Sequence, residues 1–319
     1  MKKLGDYING NTRVRLYEDG SRIIETLDPR DTKLEYEFPL NFDICITKYC
    51  DAGCAYCHEG ATINGKHGDI LNLGFIKTLT PGTEMAIGGG NALDHPDLEK
   101  FLALLKEQGV IANITVNQSH AEKNLDKLKY FVDNNLIHGI GISLTNSRNL
   151  KFFRDIEQLG NNVVIHVIAG IFNINDLRAI CNKKILILGY KNFRRGKTFC
   201  RTNKKQIKSN IKWLKKNLDI VESISRLMSF DCLAIKQLNP KSQLNISKKI
   251  WNILFQGDDY APKNDDGTNS NSTMYIDAVN MQIARSSTQP INERISFQGN
   301  EDIRYLYKLS CSNYTPNTN

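Results

Sequence analysis

Phe42-Asp43-Ile44-Cys45-Ile46-Thr47-Lys48-Tyr49-Cys50-Asp51-Ala52-Gly53-Cys54-Ala55-Tyr56-Cys57-His58-Glu59 joins a β-type apolar run to three cysteines within eight residues. The spacing is Cys-x3-Cys-x2-Cys. Cys45 alternates with Ile44 and Ile46 and reads as a small buried hydrophobe of the strand. Cys50, Cys54 and Cys57 lie beyond the strand, on a loop short enough to bring three thiolates to one metal centre. A cubane iron–sulfur cluster ordinarily takes four cysteines, so three leave one iron open to an outside ligand. The competing reading is a structural Cys3His zinc site completed by His58 or His67.

Outward from this stretch, short apolar runs recur about every 25 residues: Phe42–Thr47, Glu84–Gly88, Ile111–Asn117, Gly139–Leu144, Val163–Ala169 and Lys184–Gly189. Helical patterns lie between them at Pro96–Gln108, Asn124–Asn135 and Leu150–Leu159, with Asn203–Leu218 after the last. Alternation of strand and helix predicts an α/β protein with a parallel sheet and right-handed crossovers. Six such units suggest a barrel or a partial barrel over residues 41–218. Residues 1–40 form an N-terminal extension, with Thr12–Tyr17 and Arg22–Thr26 flanking an Asp19-Gly20 hairpin turn. Residues 219–319 form a C-terminal α+β extension. It has a strand at Phe230–Leu238, a helix at Ile246–Phe255, a flexible loop over 257–272 and a hairpin of Thr273–Asp277 with Gln282–Arg285. A frayed tail follows from Ser310.

With an aromatic before its last cysteine, the cysteine loop resembles that of the radical S-adenosylmethionine (radical SAM) superfamily. The resemblance implies a partial (β/α)6 TIM-like barrel. It also implies a 4Fe–4S cluster on Cys50, Cys54 and Cys57, with S-adenosylmethionine chelating the fourth iron. Reductive cleavage of that cofactor then gives a 5′-deoxyadenosyl radical, with electrons from a donor such as flavodoxin or ferredoxin. Tyr56 matches the family aromatic beside the cofactor. Gly88-Gly89-Gly90 at the end of the second strand is similar to the family's Gly-Gly-Glu-Pro stretch, although Gly90 stands for Glu and Asn91 for Pro. By the same resemblance, Asn117, Ser143, Gly170 and Tyr190, at the ends of strands three to six, fall at cofactor-binding levels. The likeness covers roughly residues 42–218.

Forty-two basic residues against 34 acidic give a net charge of +8. Thirteen of the basic residues fall between Lys183 and Lys216 with no acid among them, leaving 29 against 34, or −5, elsewhere. One strongly basic segment on an acidic body points to an anionic partner. Tyr190–Asn203 reads as a loop at the mouth of the barrel, where Arg194, Arg195 and Lys197 are the candidate substrate-binding residues. Interleaved aromatics favour a nucleotide or nucleic acid as that substrate. A peptide held along an edge strand is the alternative, and a zinc-stabilised nucleic-acid-binding protein is the non-enzymatic rival. Cys200 and Cys232 are candidate hydrogen-atom donors, and His58 is a candidate proton carrier on the cluster loop with Glu59, His67 and Asp69. His95, ahead of Pro96, reads as a capping or surface residue. Cys181, Cys200, Cys232 and Cys311 are too scattered to suggest a second cluster. The longest apolar run, Val163–Phe172, is interrupted by His166 and is about half a membrane span. No signal peptide is apparent, so eight cysteines are expected as free thiols in a cytoplasmic protein.

Overall fold

A computed structural model describes residues 2–160, 162–254 and 272–312. Two sheets organise it. The first is an antiparallel meander of β1 (Lys3–Asn9), β2 (Thr12–Tyr17) and β3 (Arg22–Thr26), so the expected hairpin carries an additional leading strand. The second has ten strands. In chain order they are β4 (Asn41–Thr47), β5 (Glu84–Gly89), β6 (Ile111–Asn117), β7 (Gly139–Ser143), β8 (Val163–Ile168), β9 (Lys184–Leu188), β10 (Leu227–Phe230), β11 (Thr273–Asp277), β12 (Gln282–Ala284) and β13 (Ile295–Ser296).

The spatial order of that sheet is β10-β9-β8-β7-β6-β5-β4-β11-β12-β13. From β10 through β11 all neighbours run parallel, and β12 and β13 continue antiparallel. The chain is therefore mixed α/β with a large parallel sheet. The expected C-terminal hairpin exists as β11–β12, and β11 lies directly against β4 in register, Tyr275 opposite Asp43 and Asp277 opposite Cys45.

Helices cross between the strands: α1 (Leu98–Glu107), α2 (Gln118–Lys123), α3 (Leu125–Asp133), α4 (Leu150–Asp155), α5 (Leu177–Ile180), α6 (Arg195–Lys216), α7 (Leu218–Ile224), α8 (Cys232–Leu238), α9 (Pro240–Gln243), α10 (Lys248–Leu254) and α11 (Ile303–Ser312). In α1, Leu98, Phe101, Leu102 and Leu105 share one buried face, each contributing roughly 1.5–3 kcal/mol. The helix ends where Gly109 takes a positive φ.

Two expectations are corrected. Tyr190–Asn203 is a loop only as far as Arg194; from Arg195 it is the start of α6, which continues through a kink at Asn203. Phe199 and the buried Gly196, packed against the cluster loop rather than the sheet, hide the helical period in this stretch. Phe230–Leu238 is not one strand. β10 ends at Phe230, and Asp231 caps α8 by accepting from the Ala234 N–H at 2.6 Å. A short apolar run cannot be assigned to helix or strand by periodicity alone, and the capping aspartate decides it here. The expected 257–272 loop, Ser272 apart, lies outside the described residues, as does the tail beyond Ser312, whereas Ser310–Ser312 complete α11.

The strands alternate strictly. Phe42, Ile44, Met85, Ile87, Ile114, Ile142, Ile165, Val167 and Ile187 are buried on one face. The opposite face carries Ala86, Gly88, Asn113, Thr115, Gly139, Gly141, Ser143 and His166, all partly accessible, and Asp43 is exposed although its strand is interior. A closed eight-stranded barrel fills that face with branched apolar side chains; small and polar residues here leave it open. The meander sits at the N-terminal ends of the strands. Arg22 of β3 pairs with Glu84 at the start of β5, Asn162 donates to the Glu18 carbonyl at 2.9 Å, and Lys184 donates to that of Asp19 at 3.2 Å. The other end of the sheet remains free for a site.

Candidate active site

The cysteine loop leaves the C-terminal end of β4. Its base is pinned by backbone bonds: the Cys50 N–H donates to the Thr62 carbonyl at 2.9 Å and the Thr62 N–H to that of Lys48 at 3.0 Å. The end of β5 lies hard against the same base. The Gly90 N–H donates to the Thr47 carbonyl at 2.7 Å and the Asn91 N–H to the Tyr49 carbonyl at 2.6 Å. Gly89 has φ +113°, and a Cβ on Gly90 would lie 2.0 Å from the Tyr49 carbonyl oxygen. Glycine is therefore required at these two positions to seat the loop. Gly88 differs: a Cβ there meets nothing closer than Thr115 at 3.9 Å.

Cys50, Cys54 and Cys57 are free, half-buried thiols. Burial pushes Cys50 and Cys54 above the usual thiol range, and the charge each neighbouring thiolate would carry adds to the rise. Both are therefore thiols at neutral pH, and a bound metal would supply the positive charge that stabilises their thiolates. A tetrahedral zinc would hold its sulfurs about 3.8 Å apart, from a Zn–S bond of about 2.3 Å. Among the described residues the metal-type group whose ligand atoms all fall within 4.8 Å is Cys50, Asp51 and His120, not the three thiols. Three thiols on one short loop are a donor set that a cubane cluster can take, with one iron left to another ligand.

The remaining site residues gather as follows. Tyr56 meets Phe199 of α6 edge to face at 5.8 Å, and burial raises its phenol to about 12. It lines a cavity with Leu144, Ser147, Ile168 and Asp176 at the ends of β7 and β8. Asn117 caps α2 and donates from Nδ2 to the Cys54 sulfur at 3.4 Å. Ser143 ends β7, half-buried. Gly170, with φ +90°, packs against Ile207 and accepts from Asn210 at 3.0 Å. The Tyr190 hydroxyl donates to the Gly196 carbonyl at 2.7 Å. Arg194 donates to the Glu59 carbonyl, Arg195 has a buried Nε without a partner and its charge reaches Cys50 and Cys54, and Lys197 is exposed on α6. Cys200 lies in α6 and Cys232 opens α8. Cys45 is buried beneath Tyr275 and Ala284, and burial pushes its thiol up to about 12. His95 is buried rather than on the surface, its Nδ1 accepting from the Asp97 N–H at 3.1 Å and its Nε2 lying 2.9 Å from the Gly68 carbonyl, and the N-cap of α1 is Asp97.

Several residues at the site had no local sequence signal. Lys48 lies 2.6 Å from Glu59 and 3.3 Å from Asp277 of β11. The Tyr275 hydroxyl donates to Glu59 at 3.2 Å, and Arg294 reaches Asp277 at 3.4 Å while lying over the Tyr275 ring. His58, driven down to about 3 by burial and then by Lys191, stays neutral and accepts from the Lys191 ammonium at 3.2 Å; Lys191 also donates to Ser287 at 3.0 Å. This network ties the cysteine loop to segments more than 130 residues away. On the other flank, Asp51 meets His120 of α2 at 2.7 Å.

No protein-family profile and no curated protein sequence matches the chain. Solved structures do match. The chain has the fold of SuiB from Streptococcus suis in its complex with the precursor peptide SuiA (TM-score 0.54, 13% identity). It likewise matches SuiB bound to S-adenosylmethionine (0.52, 12%) and a further SuiB structure (0.53, 13%). Each match covers 86% of this chain, which spans 65%, 64% and 66% of the respective SuiB chains. No helix among the described residues is long and apolar enough to cross a membrane.

Proposed function

We propose that the protein is a radical SAM enzyme acting on a peptide. The observation that carries the reading is the Cys-x3-Cys-x2-Cys loop at the C-terminal end of β4, in a chain with the fold of a protein solved with both S-adenosylmethionine and a precursor peptide. A 4Fe–4S cluster held there would supply the one-electron reductive cleavage of S-adenosylmethionine, the chemistry by which such a site takes hydrogen from carbon. Cys50, Cys54 and Cys57 hold the cluster, Asn117 hydrogen-bonds the Cys54 sulfur, and the ends of β5, β7 and β8 with Tyr56 border the cofactor. The parallel sheet curls into a partial barrel over residues 41–218. Residues 1–40 close its floor, and the C-terminal extension adds β10 to one edge of the sheet and β11, β12 and β13 to the other. The open sheet face with Asp43, Thr115, Gly141 and His166 then receives the substrate.

A peptide is favoured over a nucleotide because a protein with this fold was solved with a precursor peptide, and because Arg194 and Lys191 of the basic segment are engaged within the chain. Arg194 is bonded to the cluster loop, Lys191 to His58 and Ser287, and the α6 lysines stand on an outer wall. Cys50, Cys54 and Cys57 are free thiols, the state a reducing cytoplasm would keep them in.

Anaerobic reconstitution tests the reading. It should give about four iron and four sulfide per chain. With a strong chemical reductant, S-adenosylmethionine should yield 5′-deoxyadenosine and methionine. Cys50→Ala, Cys54→Ala and Cys57→Ala should each abolish this, and Cys45→Ala should not. Stoichiometric zinc without sulfide, or S-adenosylhomocysteine as the product, would refute it.

A further inference from the structure

One acid on the open sheet face has no counter-charge. Asp43 lies in register with Ala86 of β5 on one side and Tyr275 of β11 on the other. A parallel strand with neighbours on both sides ordinarily carries apolar residues. The Asp43 side chain is nonetheless exposed, and no hydrogen bond or ion pair engages it among the described residues. Enough protein lies around the carboxyl to push it above the usual carboxylate range, a rise that an added cation would oppose.

The cations around it are engaged elsewhere. Lys191, whose charge reaches Asp43, lies 3.2 Å from His58 and 3.0 Å from Ser287, and Lys48 pairs with Glu59 and Asp277. Lys184, at the floor of the same face, donates to the Asp19 carbonyl at 3.2 Å and to Asn162 at 3.4 Å. Glu59 and Asp231, the other groups whose charge reaches Asp43, are acids. Burial lowers His166 to about 4, so it is neutral, and its Nδ1 is buried without a partner. The face therefore attracts a cation and repels an anion. It also has room for one, because a Cβ on Gly88, one level above Ala86, would meet nothing closer than Thr115 at 3.9 Å. Asp43 precedes Thr47 by four residues, which sets it about 13 Å down the strand from the cysteine loop. Only a long side chain spans that depth from the strand ends. Lysine and arginine carry their charge on an apolar stem that suits walls of alanine and glycine.

We infer that Asp43 is the specificity residue for a cationic side chain, a lysine or an arginine, of the substrate peptide. The inference rests on the proposed action on a peptide at this face and adds which kind of residue the face selects. Asp43 receives the charge at the end of the side chain while the peptide backbone stays near the strand ends.

The test reads binding in the metal-free full-length chain, so that cluster assembly does not enter. Saturation-transfer NMR compares three probes: Nα-acetyl-lysine amide, Nα-acetyl-norleucine amide, which keeps the four-carbon stem without the charge, and Nα-acetyl-glutamate amide. The wild type should bind the lysine probe about tenfold or more tighter than the norleucine probe, as a hydrogen bond between charged groups predicts. Asp43→Asn should cancel that preference and leave norleucine binding as it was, while Asp43→Glu, which keeps the charge, should keep the order. Thermal unfolding of Asp43→Asn should match the wild type, because the carboxyl has no partner to lose, so a cancelled preference is not misfolding. Equal lysine and norleucine affinity in the wild type overturns the inference, and so does a preference that survives Asp43→Asn. Tightest binding of the glutamate probe would move recognition to Lys191 and overturn it as well. Failure of the reconstituted wild type to cleave S-adenosylmethionine would instead defeat the proposed reaction, and the metal-free titration would still decide the role of Asp43.

Discussion

Gly90→Ala should unseat the cluster loop, whereas Gly88→Ala should leave the fold alone. At Gly90 the new methyl group would sit 2.0 Å from the Tyr49 carbonyl oxygen and 2.8 Å from its carbon, both backbone atoms that no rotamer change can move away. Relief requires separating β5 from the loop, which breaks the Gly90–Thr47 and Asn91–Tyr49 bonds of 2.7 and 2.6 Å. Two backbone bonds at about 1 kcal/mol each and overpacking of about 1–3 kcal/mol give a loss of about 3–5 kcal/mol. That is a large share of the stability of an ordinary domain. At Gly88 the methyl group meets only Thr115, at an ordinary contact distance, and the cost should stay below about 1 kcal/mol. Urea unfolding of the metal-free chain, followed by circular dichroism, measures both. Iron retained after reconstitution should fall in Gly90→Ala and stay near wild type in Gly88→Ala. If Gly90→Ala unfolds within about 1 kcal/mol of wild type, or Gly88→Ala costs as much as Gly90→Ala, the glycines do not act by seating the loop.

Lys48→Met should destabilise the metal-free chain by about 3–5 kcal/mol, because it strips buried Glu59 of its nearest cation. Glu59→Gln should cost less, since Lys48 keeps Asp277 at 3.3 Å, and adding Glu59→Gln to Lys48→Met should restore part of the loss in urea unfolding; a strictly additive double variant would contradict the coupling. Burial holds His166 down at about 4 against 6.5 in the unfolded chain, so the unfolded state takes up a proton that the fold refuses. Stability should therefore fall as pH drops from 6.5 towards 4, by up to about 3 kcal/mol, and His166→Gln should flatten that acid slope; identical slopes would show that His166 is already solvated.

The strands were readable from sequence because their burial alternates. Ile111–Asn117 shows buried Ala112, Ile114 and Val116 between accessible neighbours, and its limits agree with the sequence reading to the residue. The meander strands Thr12–Tyr17 and Arg22–Thr26 were readable for the same reason, with Asp19-Gly20 marking the turn. What sequence could not supply was pairing over distance. Nothing local in Thr273–Asp277 says that it lies beside β4, and nothing in Lys48 says that Asp277 is its second carboxylate. The basic segment misled for a physical reason. Its charge total is visible in the composition, but whether a cation faces a ligand, a carbonyl or solvent is fixed by packing. Arg194 turns inward to a backbone carbonyl while Lys197, one helical turn on, faces solvent.

Three unlike forces fix the cysteine loop, and their division explains why only the thiols announce themselves in the sequence. Backbone bonds from β5 hold its base through glycines whose role is the absence of a side chain. A buried ion network through Lys48 and Glu59 holds its C-terminal end to β11. Aromatic packing of Tyr56 on Phe199 and the Asp51–His120 pair hold its tip to α6 and α2. Each contact joins the loop to a segment that the sheet has already positioned. The loop's shape is therefore set by the completed fold, and a metal bound by the three cysteines would meet a surface organised in advance. A short cysteine motif in an unfolded chain has no such constraint and could wrap around any soft ion. On the proposed reading, selectivity for a cubane would depend on residues with no cluster chemistry of their own.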